Sequence, residues 1–394
     1  MSVAPDAIFH VYVVAGEHSG DQLGFKLMQA LRAATGGHVR FSGVGGHMME
    51  AEGLKSLFPI SDIAVMGIVP VLKRLPQVLA RIRETAADAI AAKPDALVII
   101  DSPDFTHRVA KKVRAALRDL PVIDYVSPTV WAWRPGRART MRSYIDHVLA
   151  LLPFEPAAHR RLGGPACTYV GHPLIERLEE LRPNAAEATA RERSPPQVLI
   201  LPGSRRLEIE RLMDDFRAAA ELMTSAAGPI DFVLPAVDHL VDRISAHVET
   251  WAVKPRIVRG EAAKFEAFRS SRAALAASGT VTLELALSGV PMVVAYRVSR
   301  VEELLRFLIK VPSIVLPNLI LGRNAIPEFI QHDCTPDALA AAMLPLVVGG
   351  AARDVQVAAL SRLDGLMGLP AGDTPSARAA RVILDVAGVD VRTI

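Results

Sequence analysis

The sequence has few of the features that mark secreted, membrane-spanning or metal-binding proteins. Its 394 residues include two cysteines, Cys167 and Cys334, which are far apart and form no CxxC pair, so neither a disulfide framework nor a thiolate metal site is indicated. No apolar run approaches the roughly 18 residues of a membrane span. The N-terminus lacks the basic region of a signal peptide, and we expect a cytoplasmic protein.

Several catalytic motifs are also missing. The P-loop pattern GxxxxGK[ST], the zinc motif HExxH and the DxD motif do not occur, so a catalytic metal is disfavoured and no cofactor is expected. Ser19 lies in a GxxSG sequence rather than in the GxSxG elbow of α/β-hydrolases. The net charge of +3 is small for this length and does not indicate a nucleic-acid partner.

The length and composition predict two globular domains of the α/β class. Apolar residues make up 51% of the chain and charged residues 22%, which is ample material for two cores. Short apolar runs alternate with helical patterns, as in a parallel sheet. The predicted strands of the first half are 8–14, 96–100 and 122–126, and its predicted helices are 23–33 and 106–117.

A polar, charged stretch separates this half from a second set of alternating strands and helices. We place the boundary within it, so that residues 1–185 form the first doubly wound domain and 186–369 the second. The sequence leaves open whether the tail, about 370–394, returns to the first domain. In the second half the predicted strands are 197–201, 230–234 and 273–276, and the predicted helices are 208–219 and 262–270.

The strongest signal for a ligand is the turn LPGSR at 201–205, between a buried strand and a helix. Gly203 allows close approach of a ligand, and the helix start offers unpaired N–H groups and a positive dipole end to a phosphate. Arg205 adds a forked donor suited to a phosphate. The alternative is a simple helix cap with a surface arginine.

A second turn of small residues, Ser278, Gly279 and Thr280, again follows a strand and opens a helix. Glu284 lies one turn into that helix and could accept hydrogen bonds from both hydroxyls of a ribose. Both turns would meet at the carboxyl edge of one sheet, where open α/β sheets bind ligands. Together they predict a site for a nucleotide diphosphate.

The first half has polar turns of its own after its strands. The segment 15–21 (AGEHSGD) follows the first strand and is interpreted as a substrate-binding turn. Asp101 follows the strand 96–100 and is a candidate general base, with the alternative that Asp101 or Asp104 caps a helix.

Aromatic and basic residues follow another predicted strand. Trp131, Trp133 and Arg134 begin a cluster of arginines, which suits either an anionic ligand or a solvated face. The position of His172 after a predicted strand fits a residue of the cleft and a structural histidine equally well. The segment 65–82 mixes apolar and basic residues, as expected of a helix at a membrane surface or beside an acyl chain; the alternative is a buried helix interrupted by prolines.

Taken together, the motifs resemble the ordered signature of the bacterial lipid-A-disaccharide synthases. The segments that carry the resemblance extend from residue 15 to residue 323: AGEHSGD (15–21), DIAVMG (62–67), DSPDF (101–105), YVSPTVWAWR (125–134), LPFE (152–155), VGHPL (170–174), LPGSR (201–205), SGTVTLE (278–284) and PNLILGR (317–323). The order and number of these segments are far more specific than any one of them.

The resemblance implies a GT-B glycosyltransferase with two Rossmann-like domains facing a cleft. The implied reaction joins UDP-2,3-diacylglucosamine to 2,3-diacylglucosamine 1-phosphate, with inversion, to give a β(1→6) disaccharide 1-phosphate and UDP. Asp101 would deprotonate the acceptor 6-hydroxyl. The residues implied for UDP are Gly203, Ser204, Arg205, Ser278, Gly279, Thr280, Glu284 and Asn318.

The remaining candidates are assigned to the acceptor and to lipid. The acceptor or cleft candidates are Gly16, Glu17, Ser19, Gly20, Asp21, Trp133, Arg134 and His172. The candidates for contact with acyl chains or membrane are Met66, Val69, Leu72, Lys73, Arg74 and Leu75. The resemblance also implies peripheral attachment to the inner face of the inner membrane of a Gram-negative bacterium. A dimer is the expected assembly.

Two alternatives remain open at this point. One keeps the nucleotide-sugar fold but changes the chemistry, to another GT-B transferase or a UDP-sugar 2-epimerase; the apolar segment at 65–82 argues against a fully water-soluble acceptor. The other is a serine hydrolase that uses Ser19 with His172 and Asp101, for which the missing GxSxG elbow is unfavourable.

Overall fold

The computed structural model describes residues 8–63, 68–298 and 311–389, and for 68–73 the backbone alone. Contacts divide the chain into two units. Unit 1 comprises the residues up to Pro173 and those from Leu369 onward, and unit 2 comprises Leu174–Gly368. Each unit is described by itself below.

Residues 174–185, predicted to end the first domain, group with unit 2. Charged contacts within unit 2 account for this. Both terminal nitrogens of Arg177 bind the carboxylate of Glu261, at 2.8 and 2.9 Å, and Arg269 donates to the carbonyl of Glu180 at 2.6 Å.

Unit 1 is built on a parallel sheet of six strands in the order β2-β1-β3-β4-β5-β6. Its central strands are apolar and buried along their whole length, because helices cover both faces of such a sheet. The strands are β1 (Phe9–Ala15), β2 (Val39–Val44), β3 (Ala96–Ile100), β4 (Val122–Tyr125), β5 (His147–Ala150) and β6 (Ala166–Tyr169). The helices are α1 (His18–Ala34), α2 (His47–Ala51), α3 (Ile68–Ala92), α4 (Pro103–Ala116), α5 (Gly136–Met141) and α6 (Glu155–Leu162).

Unit 2 is built on a second six-stranded parallel sheet, in the order β12-β11-β10-β7-β8-β9. The strands are β7 (Gln197–Leu201), β8 (Asp231–Ala236), β9 (Arg256–Arg259), β10 (Ala273–Ala277), β11 (Met292–Tyr296) and β12 (Glu328–Ile330). The helices are α7 (Leu178–Leu181), α8 (Ala185–Ala190), α9 (Arg206–Ala227), α10 (Val241–Val248), α11 (Glu261–Ser270), α12 (Val281–Leu287), α13 (Leu316–Leu321), α14 (Pro336–Val348), α15 (Ala351–Leu360) and α16 (Leu363–Met367).

The last helix, α17 (Pro375–Val386), belongs to unit 1 and packs on α1. Its apolar face contributes Ala379, Ala380, Ile383 and Leu384 to the core of unit 1, and all four side chains are fully buried. This spacing of three and four residues is that of one helix face. The tail of the chain is therefore part of the core that supports β1.

Strand order fixes where a ligand site can form in each unit. In unit 1 the order reverses direction between β1 and β3, and in unit 2 between β7 and β10. Read from the other edge, unit 2 has the strand order of the dinucleotide-binding fold. Open parallel sheets bind ligands outside the carboxyl ends of the strands at such a reversal. The predicted doubly wound α/β class is confirmed for both units.

Helix α3 covers most of the segment predicted to contact lipid. It runs without a break through Pro76 to Ala92, and its second half buries Ile82, Ala86 and Ala89 in the core of unit 1. Within the described ranges, no single helix has both the length and the apolar composition to cross a membrane; the pair 336–348 and 351–367 meets these criteria only when counted together across a bend of 83°.

Candidate active site

The reversal point of unit 1 brings together the segments that follow β1 and β3. Gly16 is the closest contact between them: a Cβ atom there would lie 2.2 Å from the Cβ of Ser102, so only glycine fits. The side chains on either side also meet, because Ser102 Oγ donates to Glu17 Oε1 at 3.0 Å. Residues 85 positions apart in sequence thus form one polar surface.

Asp101 is held in an unusual backbone conformation on this surface. Its φ angle is +55° and that of Ser102 is +46°, a left-handed region that costs non-glycine residues roughly 1–3 kcal/mol each. The surroundings impose it: the N–H of Asp101 donates to the carbonyl of Tyr125 at 3.1 Å, and Thr106 Oγ1 donates to the carbonyl of Asp101 at 2.7 Å. The direction of the Asp101 side chain is therefore fixed by strand β4 and helix α4.

The carboxylate of Asp101 accepts two hydrogen bonds and is half-buried. The N–H of Ser102 donates to Oδ1 at 2.8 Å, and Ser19 Oγ donates to Oδ2 at 3.3 Å. A carboxylate has about four acceptor positions, so lone pairs remain for a substrate hydroxyl. Asp101 is thus an oriented carboxylate with acceptor positions left open.

Ser19 pairs with Asp101 rather than with an imidazole. Within the described part of the chain, the hydroxyl of Ser19 makes one hydrogen bond, to Asp101 Oδ2. A serine nucleophile requires a base such as histidine oriented toward its hydroxyl. The geometry around Ser19 therefore does not support the hydrolase alternative.

Two other candidates from the first turn serve the fold. The carboxylate of Asp21 is buried and accepts the N–H groups of Gly46, Met48 and Met49 at 2.8, 3.0 and 3.1 Å, which caps helix α2. Gly20 is buried, and a Cβ atom there would lie 3.3 Å from the carbonyl oxygen of Ile100. The segment predicted as a substrate-binding turn is, from His18 onward, the first turn of α1.

The loop after β4 is held by hydrogen bonds to helix α6 and is exposed at its tip. Trp131 Nε1 donates to Glu155 Oε1 at 3.1 Å, and Ser127 Oγ lies 2.8 Å from His159 Nε2. At the tip, the guanidinium of the exposed Arg134 lies 5.2 Å from the centroid of the Trp133 ring. An arginine on an aromatic face at a loop tip suits a sugar phosphate.

Glu155 supports this loop from inside the core of unit 1. Glu155 is 3% exposed, and its carboxyl accepts hydrogen bonds from Trp131 and from the N–H of Leu152 at 2.9 Å. Burial raises the pKa of Glu155 from 4.5 to about 7, and the charge of Asp124 adds to this. The motif LPFE contains Glu155, but nothing in that motif indicates a carboxyl buried beneath a tryptophan.

Titration of Glu155 predicts a pH dependence of stability. The folded chain retains this proton to higher pH than the unfolded chain, so the contribution of Glu155 to the free energy of unfolding falls as pH rises from 4.5 to about 7. Glu155→Gln does not titrate. We therefore expect the Tm of Glu155→Gln, relative to wild type, to increase between pH 5 and about pH 7 and to level off by pH 8 in thermal melts. A constant difference over that range would contradict a raised pKa.

His172 lies at the end of unit 1, after β6. Burial lowers the pKa of its imidazole from 6.5 to about 4, so His172 is neutral at neutral pH. It lies on the connection that follows β6 and leads to the last residue of this part of unit 1, Pro173.

In unit 2, the carboxylate side chain of Glu208 binds to the turn that follows β7. The carboxylate of Glu208 accepts the N–H groups of Ser204 and Arg205 at 3.0 and 3.2 Å, and a Cβ atom on Gly203 would lie 2.3 Å from it. The φ angle of Gly203 is +113°, which favours glycine. The N–H groups of Ser204 and Arg205 are therefore already bound, since the acid at the third helical position of α9 accepts both.

Arginine side chains remain available at this turn. The side chain of Arg205 is 67% exposed and lies 3.5 Å from Glu208 Oε1, a distance that leaves the guanidinium free to bind a second anion. Arg206, equally exposed, is paired with Glu210 at 2.7 Å. At this turn two backbone N–H groups therefore bind a carboxylate, and the forked guanidinium of Arg205 lies beside them.

The second turn lies next to the first, because β10 and β7 are neighbours and Ala276 is in register with Leu201. Gly279 and Thr280 are exposed, and a Cβ atom on Gly279 would meet nothing within 4 Å. Ser278 Oγ donates to the carbonyl of Ile314 at 2.9 Å, which attaches the turn to the segment before α13. There is open space for a ligand above this turn.

Asn318 uses its whole amide within the protein. Its Oδ1 accepts the N–H groups of Ala325 and Ile326 at 3.0 and 2.9 Å, and its Nδ2 donates to the carbonyl of Ile326 and to Glu328 Oε1 at 2.9 and 3.0 Å. Asn318 is 2% exposed. It holds the loop between α13 and β12; the family resemblance implied that Asn318 helps to complete a nucleotide pocket.

Comparison with known proteins gives the family. The family model described as lipid-A-disaccharide synthetase matches residues 11–366. The chain is 54% identical over 376 residues to the lipid-A-disaccharide synthase of Nitrobacter hamburgensis, with 95% of each chain covered. It is 52% identical over 375 residues to that of Bradyrhizobium diazoefficiens, again with 95% of each covered. The chain belongs to the lipid-A-disaccharide synthase family.

Membership of this family makes the chain a glycosyltransferase of lipid A biosynthesis. Solved structures of low identity agree on the GT-B fold. They include the glycosyltransferase of kitacinnamycin (TM-score 0.62, 15% identity, 97% of this chain and 99% of that chain covered) and MurG of Acinetobacter baumannii (0.56, 14%, 96% and 99%). A UDP-GlcNAc 2-epimerase from Neisseria meningitidis bound to UDP-GlcNAc is similar to the same degree (0.58, 12%, 96% and 99%).

The candidates for lipid contact are only partly described. Met66 lies outside the described residues, and the side chains of Val69, Leu72 and Lys73 do as well. Arg74 and Leu75 are exposed on the first half of α3, where Leu75 is 40% exposed.

In the described ranges, no three His, Cys, Asp or Glu side chains lie close enough together to hold a metal ion.

Proposed function

We propose that this chain joins UDP-2,3-diacylglucosamine to 2,3-diacylglucosamine 1-phosphate, forming the β(1→6) disaccharide 1-phosphate and releasing UDP. The observation that carries the proposal is Asp101, a carboxylate fixed at the reversal point of unit 1 in a member of this family. The two substrates and the stereochemistry go beyond the family assignment itself.

The reaction follows as a single displacement. Asp101 removes the proton of the acceptor 6-hydroxyl, and the oxygen attacks the anomeric carbon of the donor from the side opposite UDP. The bond between that carbon and the UDP oxygen breaks with its electron pair, so an α-linked donor gives a β-linked product. The fixed carboxylate of Asp101 needs no rearrangement to accept the proton.

Unit 2 binds the donor in this proposal. Arg205 and the turn formed by Gly203 and Ser204 hold the diphosphate and stabilise the charge that develops on departing UDP. Because Glu208 already accepts two N–H groups of this turn, the diphosphate takes the outer side of the turn, where the guanidinium of Arg205 lies. Ser278, Gly279 and Thr280 border the nucleotide, Glu284 accepts the ribose hydroxyls, and Asn318 shapes the loop beside them.

Unit 1 binds the acceptor. Glu17 and Ser19 lie within hydrogen-bonding distance of Ser102 and Asp101 and would orient the sugar hydroxyls. Trp133 and Arg134 form the loop tip that suits the 1-phosphate. The exposed Arg74 and Leu75, with the rest of the basic and apolar segment at 65–82, would contact acyl chains and the inner face of the inner membrane.

Ser19→Ala separates this proposal from the hydrolase alternative. The variant loses one 3.3 Å hydrogen bond to Asp101, so we expect turnover to fall by about tenfold or less. Initial rates with saturating donor and acceptor measure the effect. Complete loss of turnover, together with labelling of Ser19 by a fluorophosphonate, would instead support a serine nucleophile.

The substrates are tested directly with purified protein. Both acylated substrates are supplied in detergent, and mass spectrometry follows UDP and the disaccharide phosphate. We expect the two products in equal amounts and only when both substrates are present. Conversion of non-acylated UDP-N-acetylglucosamine alone, with no disaccharide from the acylated pair, would favour a UDP-sugar 2-epimerase.

A further inference from the structure

The first turn of α11 contacts the first turn of α12 through one ion pair. Lys264 Nζ lies 3.1 Å from Glu284 Oε1 and 3.0 Å from Oε2, so the ammonium bridges both oxygens of the carboxylate. The side chains are 26% and 15% exposed, which places the pair at the edge of the core and within reach of a ligand. Lys264 belongs to none of the motifs that indicated the donor site.

The bridge fixes the plane of the Glu284 carboxylate and leaves part of it free. Each oxygen has two acceptor positions, and the ammonium uses one on each. One position on each oxygen therefore remains, which matches two neighbouring hydroxyl donors. Among the described residues, Lys264 is the one side chain that is hydrogen-bonded to the Glu284 carboxylate.

Aromatic rings hold Lys264 in place. Its ammonium lies 4.7 Å from the ring centroid of Phe265 and 5.7 Å from that of Phe268, both within the range of cation–π attraction. The guanidinium of Arg177 lies 4.7 Å from the Phe265 ring and binds Glu261 as well. Phe265 is thus fixed by two cations, and the lysine has a preferred position on it.

We propose that Lys264 is a positioning residue that orients the Glu284 carboxylate toward the 2′- and 3′-hydroxyls of the donor ribose. The proposal rests on the assignment of Glu284 to the ribose made above. Lys264 also offsets the negative charge of Glu284 close to a bound diphosphate. That charge effect acts on any uridine diphosphate, whereas orientation of the carboxylate acts only on a nucleotide that has the two hydroxyls.

Binding of UDP and of 2′,3′-dideoxy-UDP separates these effects. In isothermal titration of the full-length wild type, the Kd for UDP should be about 10- to 100-fold lower than the Kd for 2′,3′-dideoxy-UDP. The dideoxy compound cannot form the two hydrogen bonds to the charged carboxylate. Lys264→Met should reduce this ratio to about threefold or less. Lys264→Arg, which can still bridge the carboxylate, should retain most of it.

Controls keep structural damage apart from orientation. Lys254→Met removes an exposed lysine of unit 2 that is paired with Glu249 at 2.5 Å, and its ratio should equal that of wild type. Lys264→Gln replaces Lys264→Met if the latter does not fold, with the same expected loss, and thermal melts establish that each variant is folded.

Two outcomes would overturn the proposal in distinguishable ways. A full UDP preference in folded Lys264→Met and Lys264→Gln would show that Glu284 needs no positioning by Lys264, and would leave the donor assignment intact. Equal binding of UDP and 2′,3′-dideoxy-UDP by wild type would remove the ribose role of Glu284 itself, and with it part of the proposed donor site.

Discussion

Asp101→Asn should lower kcat by about 10²- to 10⁴-fold, the range over which a positioned general base accelerates proton transfer. The amide retains the shape of the side chain: its oxygen can still accept from the N–H of Ser102, and its NH2 group can donate to Ser19 Oγ, but it cannot take the proton of the acceptor hydroxyl. Since the residues proposed to bind UDP belong to unit 2, the Kd for UDP should stay within about twofold of the wild-type value.

Asp104→Asn is the matched control for this variant. Asp104 lies three residues further along, is exposed, and pairs at 3.2 Å with Arg137, a surface contact that typically contributes less than about 1 kcal/mol. We expect its kcat to stay close to wild type. An Asp101→Asn enzyme with at least half of wild-type turnover would exclude Asp101 as the base.

Arg205→Ala should lose about 3 to 4 kcal/mol of transition-state stabilisation, the typical effect of removing one donor to a developing negative charge. This corresponds to a fall in kcat/KM of about 10²- to 10³-fold. The side chain is 67% exposed and its pairing with Glu208 spans 3.5 Å, so stability should change little. Initial rates and a thermal melt of the same preparation distinguish the two effects.

Arg206→Ala is the control for this prediction. Arg206 is adjacent, 66% exposed and paired with Glu210, so the variant removes the same charge from the same helix start. We expect at most a few-fold change in kcat/KM, from the altered charge near the diphosphate. Equal losses in the two variants would mean that the turn needs only positive charge and that Arg205 has no specific contact with UDP.

The strand-turn-helix units were predictable from the sequence because their signals are local. The run 96–100 consists of apolar residues and is followed at once by Asp101, so both a buried strand and a polar residue at its carboxyl end can be read directly. The same holds for Gly203, which follows the apolar run 197–201 and was recognised as part of a turn; its φ angle is +113°. Neighbouring parallel strands then bring such turns together.

Contacts between distant side chains could not be read in this way. Lys264 and Glu284 are separated by 20 residues, and nothing in either helix indicates that the other lies beside it. Asp21 looked like a substrate ligand in AGEHSGD, but its three acceptor contacts come from the start of α2, 25 to 28 residues later. A polar residue in a motif can therefore serve the fold, and only the packing distinguishes the two uses.

Glu208 and Asn318 illustrate how a local signal can be incomplete. The sequence shows a glycine turn before a helix, but the acid at the third helical position also accepts two N–H groups of the turn itself. The amide of Asn318 makes four hydrogen bonds within the protein, to Ala325, Ile326 and Glu328. In both cases the hydrogen bonds within the protein decide which atoms remain available to a ligand.

The most direct test of the proposed reaction is the structure of the product formed from a donor labelled with ¹³C at the anomeric carbon. Wild-type protein, labelled UDP-2,3-diacylglucosamine and 2,3-diacylglucosamine 1-phosphate are incubated together, and NMR spectroscopy identifies the new linkage while UDP is quantified. We predict one β(1→6) bond for each UDP released, and no release without acceptor. An α linkage, a free labelled sugar released to water, or UDP release independent of acceptor would contradict the proposed glycosyl transfer.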